Sequence, residues 1–102
     1  MKNKFKDIGI AYFTNPAILN EPFGKEIDGI MVSVAKQVPV RKVDTYKEVT
    51  IVEALKPENV PSLIFTNDQG NKTYLKIEGV QLSGVTVDKV LQTVESIHNQ
   101  NG

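Results

Sequence analysis

The spacing of apolar residues changes along this chain, and the order of those changes restricts the fold more than any single motif. Ile8-Gly9-Ile10-Ala11-Tyr12-Phe13 is a short continuous apolar run, too short for a typical helix, and reads as a buried central strand. Residues 14–24 hold Asn15, Pro16, Asn20, Pro22 and Gly24, a composition that predicts a loop. From Lys25 the period lengthens. Ile27, Ile30, Met31, Val34, Ala35 and Val38 recur at helical spacing, so an amphipathic helix is expected to end near Gln37, before Pro39.

Val38 to Val43 reads as a second strand, with Pro39 suited to a strand start or an edge. Thr45 followed by Glu48 fits a capping box and predicts a helix from about Tyr46 to Leu55, stopped by Lys56-Pro57. The β-branched run Val49-Thr50-Ile51-Val52 also suits a strand; the cap signal and Glu53-Ala54-Leu55 favour the helix. Leu63 to Thr66 is a third strand, and Asn67-Asp68-Gln69-Gly70-Asn71 supplies the turn of a hairpin. In the returning strand Thr73, Leu75 and Ile77 alternate with Lys72, Tyr74, Lys76 and Glu78, the pattern of a half-exposed edge. Gly79 and Gly84 punctuate the next loop. Thr86 caps a last helix carrying Val87, Val90, Leu91, Val94 and Ile97, and the polar tail from His98 is expected to fray. The order β-α-β-α-β-β-α predicts an α/β domain. Its four-stranded mixed β-sheet would be flanked by three helices, with strands one to three parallel and the hairpin strand antiparallel.

At 102 residues the chain is expected to form one domain. Twelve basic residues balance twelve acidic ones, and the lysines are scattered, which disfavours nucleic acid as a partner. No apolar run approaches the ~18 residues that span a bilayer. The basic start Met1-Lys2-Asn3-Lys4-Phe5-Lys6-Asp7 leads straight into the first strand without a small-residue cleavage site, so no signal peptide is read, and cytoplasm is the expected location. With no cysteine there is no disulfide, thiolate metal site or thiol catalysis. His98, the only histidine, is read as a helix C-terminal or solvent residue, and one histidine builds neither a metal cluster nor a triad near the core. Glu21, Glu26 and Asp28 read as complements to a helix dipole, and Asp68 and Glu78 as flanks of the hairpin. The glycines match no phosphate loop, and no cofactor is expected.

From Val60 to Ile97 the chain resembles the C-terminal half of a thioredoxin. Val60-Pro61 precedes a strand, a charged hairpin follows through Gly70, and Gly79 opens a loop before an amphipathic helix. The resemblance implies a thioredoxin-like fold and a cis bond at Val60-Pro61. In redox-active thioredoxins a CxxC motif follows the first central strand; here the matching window, Thr14 to Gly24, has neither cysteine nor serine. The resemblance places Ala11 near the buried acidic residue that many thioredoxins carry on that strand. What it implies is therefore a redox-inactive, cysteine-free member.

The candidate partner-binding residues are Asn15, Pro16, Ala17, Ile18 and Leu19 together with Val60, Pro61 and Ser62, aided by the Gly79 to Gly84 loop. The apolar side chains of Pro16-Ala17-Ile18-Leu19 read first as core-facing, with an exposed apolar knuckle beside Pro61 as the alternative. Backbone next to such a proline can pair with an extended chain, so a protein or peptide partner is expected. With no cysteine and no acid–base pair that the sequence assembles in a cleft, no enzyme activity is expected. The alternative is a structural or assembly subunit, such as a homodimer. Lys72, Lys76 and Glu78 blunt the presumed edge against strand-to-strand association.

Overall fold

In a computed structural model of the protein, which describes Phe5 and residues 7–101, the chain forms a four-stranded sheet in the order β2-β1-β3-β4. The strands are β1 (Ile8–Thr14), β2 (Val40–Asp44), β3 (Ser62–Asn67) and β4 (Thr73–Glu78). The helices are α1 (Pro16–Leu19), α2 (Pro22–Val34), α3 (Val49–Leu55) and α4 (Val87–Asn101), with a 3-10 turn over Gly79–Leu82. The remainder of the basic N-terminal segment lies outside the described residues.

Alternation along β1 divides the core. Ile8, Ile10 and Tyr12 join Leu63 and Phe65 beneath α2 and α4, where Ile27, Met31, Val34, Val90, Val94 and Ile97 complete a buried cluster. Ala11 and Phe13 point the other way and pack with Val43 and Ile64 under α3, against Ile51, Val52 and Leu55. Two buried faces explain why β1 and β3 read as continuous apolar runs rather than as alternating ones.

Several expectations need correction. The segment read as a loop contains α1 and the start of α2, because Pro16 and Pro22 each sit in a first helical turn. A proline there loses no hydrogen bond, since the first amides of a helix have no partner within it, and its fixed φ suits the helix. Asn15 Oδ1 caps α1 by accepting from Ile18 N at 3.0 Å. Helix α2 accordingly begins at Pro22 rather than Lys25 and ends at Val34, with Ala35 exposed. The sheet is therefore accompanied by four α-helices, one more than expected.

Helix α3 starts at Val49, and the Thr45–Glu48 box does not form. Glu48 Oε2 instead accepts from Asp44 N at 3.0 Å, while Asp44 Oδ1 accepts from Tyr46 N at 2.9 Å. These local bonds hold residues 45–47 in a turn. Strand β1 pairs parallel with β2 but antiparallel with β3, so the expected third parallel strand is reversed. Helix α3 has only seven residues. Lys56, at φ 53, then turns the chain left-handed, and residues 57–61 return it to the end of the sheet from which β2 departed. Without a crossover the next strand must run the other way.

The end of α4 is tied rather than frayed. His98 Nδ1 lies 2.9 and 3.0 Å from the two carboxylate oxygens of Asp7, and its ring meets Phe5 edge-on with centroids 5.3 Å apart.

Candidate functional site

The site is built where β1 ends and β3 begins. Phe13 pairs with Ser62, and the register continued by one residue sets Thr14 opposite Pro61. The Val60-Pro61 peptide bond is cis. Helix α1 follows from Thr14 and is anchored twice. Asn15 caps it, and Asn15 Nδ2 also donates to Thr45 Oγ1 at 3.0 Å, joining α1 to the turn after β2. No residue of α1 is buried: Pro16 and Ala17 are exposed, and Ile18 and Leu19 are half-buried. These four form a surface knuckle rather than core.

Helix α2 packs tightly on that knuckle. Gly24 is buried, and a Cβ placed on it would lie 1.9 Å from the carbonyl oxygen of Ile18 and 2.8 Å from Ile18 Cγ2. The backbone of α2 therefore reaches α1 at a distance that only glycine permits.

Across from the knuckle, one carboxylate organises the chain around Pro61. Glu78 Oε2 accepts from Glu58 N at 2.6 Å and, at 3.4 Å each, from Asn59 N and Ser62 Oγ. The Glu78 side chain also accepts from Gln81 N, while Gln81 Oε1 accepts from Glu78 N at 2.9 Å. Such bonds to an ionised acceptor are stronger than neutral ones. Gly79, at φ +56, makes the turn that allows this reciprocal cap, and its amide donates to Pro61 O at 2.9 Å. The loop before Pro61 and the turn after β4 are thereby held as one unit.

Between these parts lies a groove of about 510 Å³, lined by Phe23, Glu58, Asn59, Val60, Glu78, Gly79, Val80 and Gln81. Val80 stands on its lip at 86% exposure. The Val60 side chain is half-buried against the Phe13 cluster. Neither its amide nor its carbonyl has a hydrogen-bond partner among the described residues. Of the residues singled out by sequence, Val60 lines this groove together with Gly79, Val80 and Gln81 from the Gly79 to Gly84 loop. The Asn15 amide is engaged within the chain, and Pro61 and Ser62 are buried. The sequence singles out neither Phe23 nor Glu58, and it assigns Glu78 only to the hairpin flank and the blunted sheet edge. One signal was present: Glu78 and Gln81 stand at the three-residue spacing of a capping box.

Two further features lie away from the groove. Tyr12 donates to Asp28 Oδ1 at 2.9 Å, and Lys42 Nζ pairs with the same oxygen at 3.0 Å. Burial first, and then the Asp28 hydrogen bond, push the Tyr12 phenol well above the ordinary tyrosine range, so it remains a neutral donor. At the opposite end of the sheet, Gly9, Ala11 and Thr66 floor a hollow of about 440 Å³ walled by Ile51, Ala54 and Leu55. No group of three or more metal-ligating side chains, and no helix long and apolar enough to cross a membrane, occurs among the described residues.

No family model and no curated protein matches the sequence. Solved structures do match the fold. A mutant thioredoxin from Halobacterium salinarum superposes with a TM-score of 0.70 at 18% identity, over 88% of this chain and 74% of its own. Thioredoxin-2 of the malaria parasite, described as a component of its protein secretion machinery, gives 0.69 at 14% identity, over 94% and 85%. Oxidised thioredoxin O2 from Arabidopsis thaliana gives 0.64 at 19% identity, over 94% and 79%. Thiol–disulfide exchange needs a sulfur nucleophile, and these 102 residues include no cysteine. The chain thus has the thioredoxin fold without the thiols on which thioredoxin redox chemistry depends.

Proposed function

We propose that this domain is a binding module that takes an extended polypeptide segment into the groove between Phe23, Val60 and the Gly79–Gln81 turn. The observation that carries the reading is the unpaired main chain of Val60 on the groove wall. A peptide backbone laid alongside it gains a donor and an acceptor already fixed in place, which is how strand addition supplies affinity without sequence readout. Val80 and Phe23 offer apolar contact for alternate side chains of such a strand. Pro16, Ala17, Ile18 and Leu19 extend the surface beyond the groove. The fixed Glu78 network limits the ordering that binding requires.

Selection of a random nonapeptide library displayed on phage tests this, with synthetic copies of the selected peptides titrated by fluorescence anisotropy. Val80→Asp alters an exposed position and is expected to leave the fold intact. It should weaken binding by about tenfold, the loss of a well-placed apolar contact. Selected peptides that bind this variant as well as the parent would place their site elsewhere and refute the groove.

A further inference from the structure

The charges around the groove specify what kind of segment fits it, an inference that rests on the peptide-binding reading above. Two ionisable side chains line the groove, Glu58 and Glu78, and both are acidic. Neither belongs to an ion pair among the described residues, where the pairs are Arg41 with Glu48, Lys42 with Asp28, and His98 with Asp7. Lys76 is engaged elsewhere, its Nζ donating to the Lys56 carbonyl at 3.1 Å. Glu78 is half-buried and satisfied by main-chain amides and the Ser62 hydroxyl, which hold the carboxylate in place without neutralising it. The Glu58 carboxylate is exposed and makes no contact of its own.

We infer that the groove prefers extended segments in which a lysine or arginine stands two residues from an aliphatic one. In a strand, residues two apart face the same way. With the intervening residue's backbone paired to Val60, one side chain reaches Val80 and Phe23 while the other reaches the Glu58 and Glu78 carboxylates. Uncompensated charge of one sign in a groove attracts the opposite sign and repels its own, which sets preference more than total affinity.

The test uses the same nonapeptide library on three baits: the parent protein, Glu58→Lys and Val80→Asp. Lysine and arginine should be enriched over aspartate and glutamate among clones selected on the parent, at two residues from an aliphatic position. On Glu58→Lys that bias should invert. A synthetic selected peptide should lose about fivefold in affinity when its basic residue becomes glutamate, the scale of an exposed charge pair turned repulsive, and the loss should shrink at high salt. Peptides that need Val80 but carry no charge bias would overturn this inference and leave the groove reading standing. Clones recovered equally on Val80→Asp would overturn both.

Discussion

Gly24→Ala is expected to destabilise the domain by about 3 kcal/mol, at the upper end for overpacking a buried position. The added methyl would sit 1.9 Å from the Ile18 carbonyl oxygen and 2.6 Å from its carbon, both main-chain atoms that cannot rotate away. Relief requires α1 to lift from α2, which also moves Ile18 and Leu19 from the surface described above. Gly29 is the internal control. It lies on the same helix, is exposed, and a Cβ there meets nothing within 4 Å. Gly29→Ala should therefore stabilise the domain by about 1 kcal/mol through helix propensity alone. Urea unfolding of the two variants reads both numbers. Equal shifts of the same sign would mean that the approach of α2 to α1 is not what demands glycine at position 24.

Glu78→Ala is expected to cost about 2 kcal/mol, in the range for hydrogen bonds to a charged acceptor. It removes the acceptor for three backbone amides, those of Glu58, Asn59 and Gln81, and for the Ser62 hydroxyl. The cost stays near that of one strong bond because Glu58 and Asn59 are exposed and water can replace the carboxylate there. The loop before Pro61 and the turn at Gly79 lose their common anchor, so peptide affinity should fall together with stability. Glu58→Ala separates charge from scaffold. The Glu58 side chain supports nothing, and its replacement should alter stability by less than about 0.5 kcal/mol. Urea denaturation of both variants checks this. Equal destabilisation by the two would show that Glu78 does not organise the groove.

What the sequence makes legible follows from the range of the interactions that decide it. Strands β1 and β3 and the stripes of α2 and α4 are written in local apolar spacing, and the structure has them within a few residues of their expected bounds. Pro16 and Pro22 mislead because a proline both ends and begins helices; the Asn15 cap marks the start at Pro16, whereas Glu21 before Pro22 makes no side-chain cap. The direction of β3 has no local signature. It depends on a short α3 and on the reversal at Lys56. The groove is the least legible part. Glu78 meets Glu58 across 20 residues, a contact that no periodicity encodes. His98 stands in the last turn of α4 as the sequence suggests, but its bond to Asp7, 91 residues away, has no local signal. Absent cysteine, by contrast, was decisive at once, since chemistry that needs a residue type is excluded by composition.

The central claim is that the Val60 main chain is the docking edge. An NMR titration of the isotope-labelled domain with a synthetic selected nonapeptide tests it at that atom. The Val60 amide is expected to shift downfield and to slow its hydrogen exchange on binding, with Phe23 and Val80 perturbed alongside. A bound peptide that leaves Val60 unmoved, while shifting Gly9 and Ile51 at the far hollow, would contradict the account.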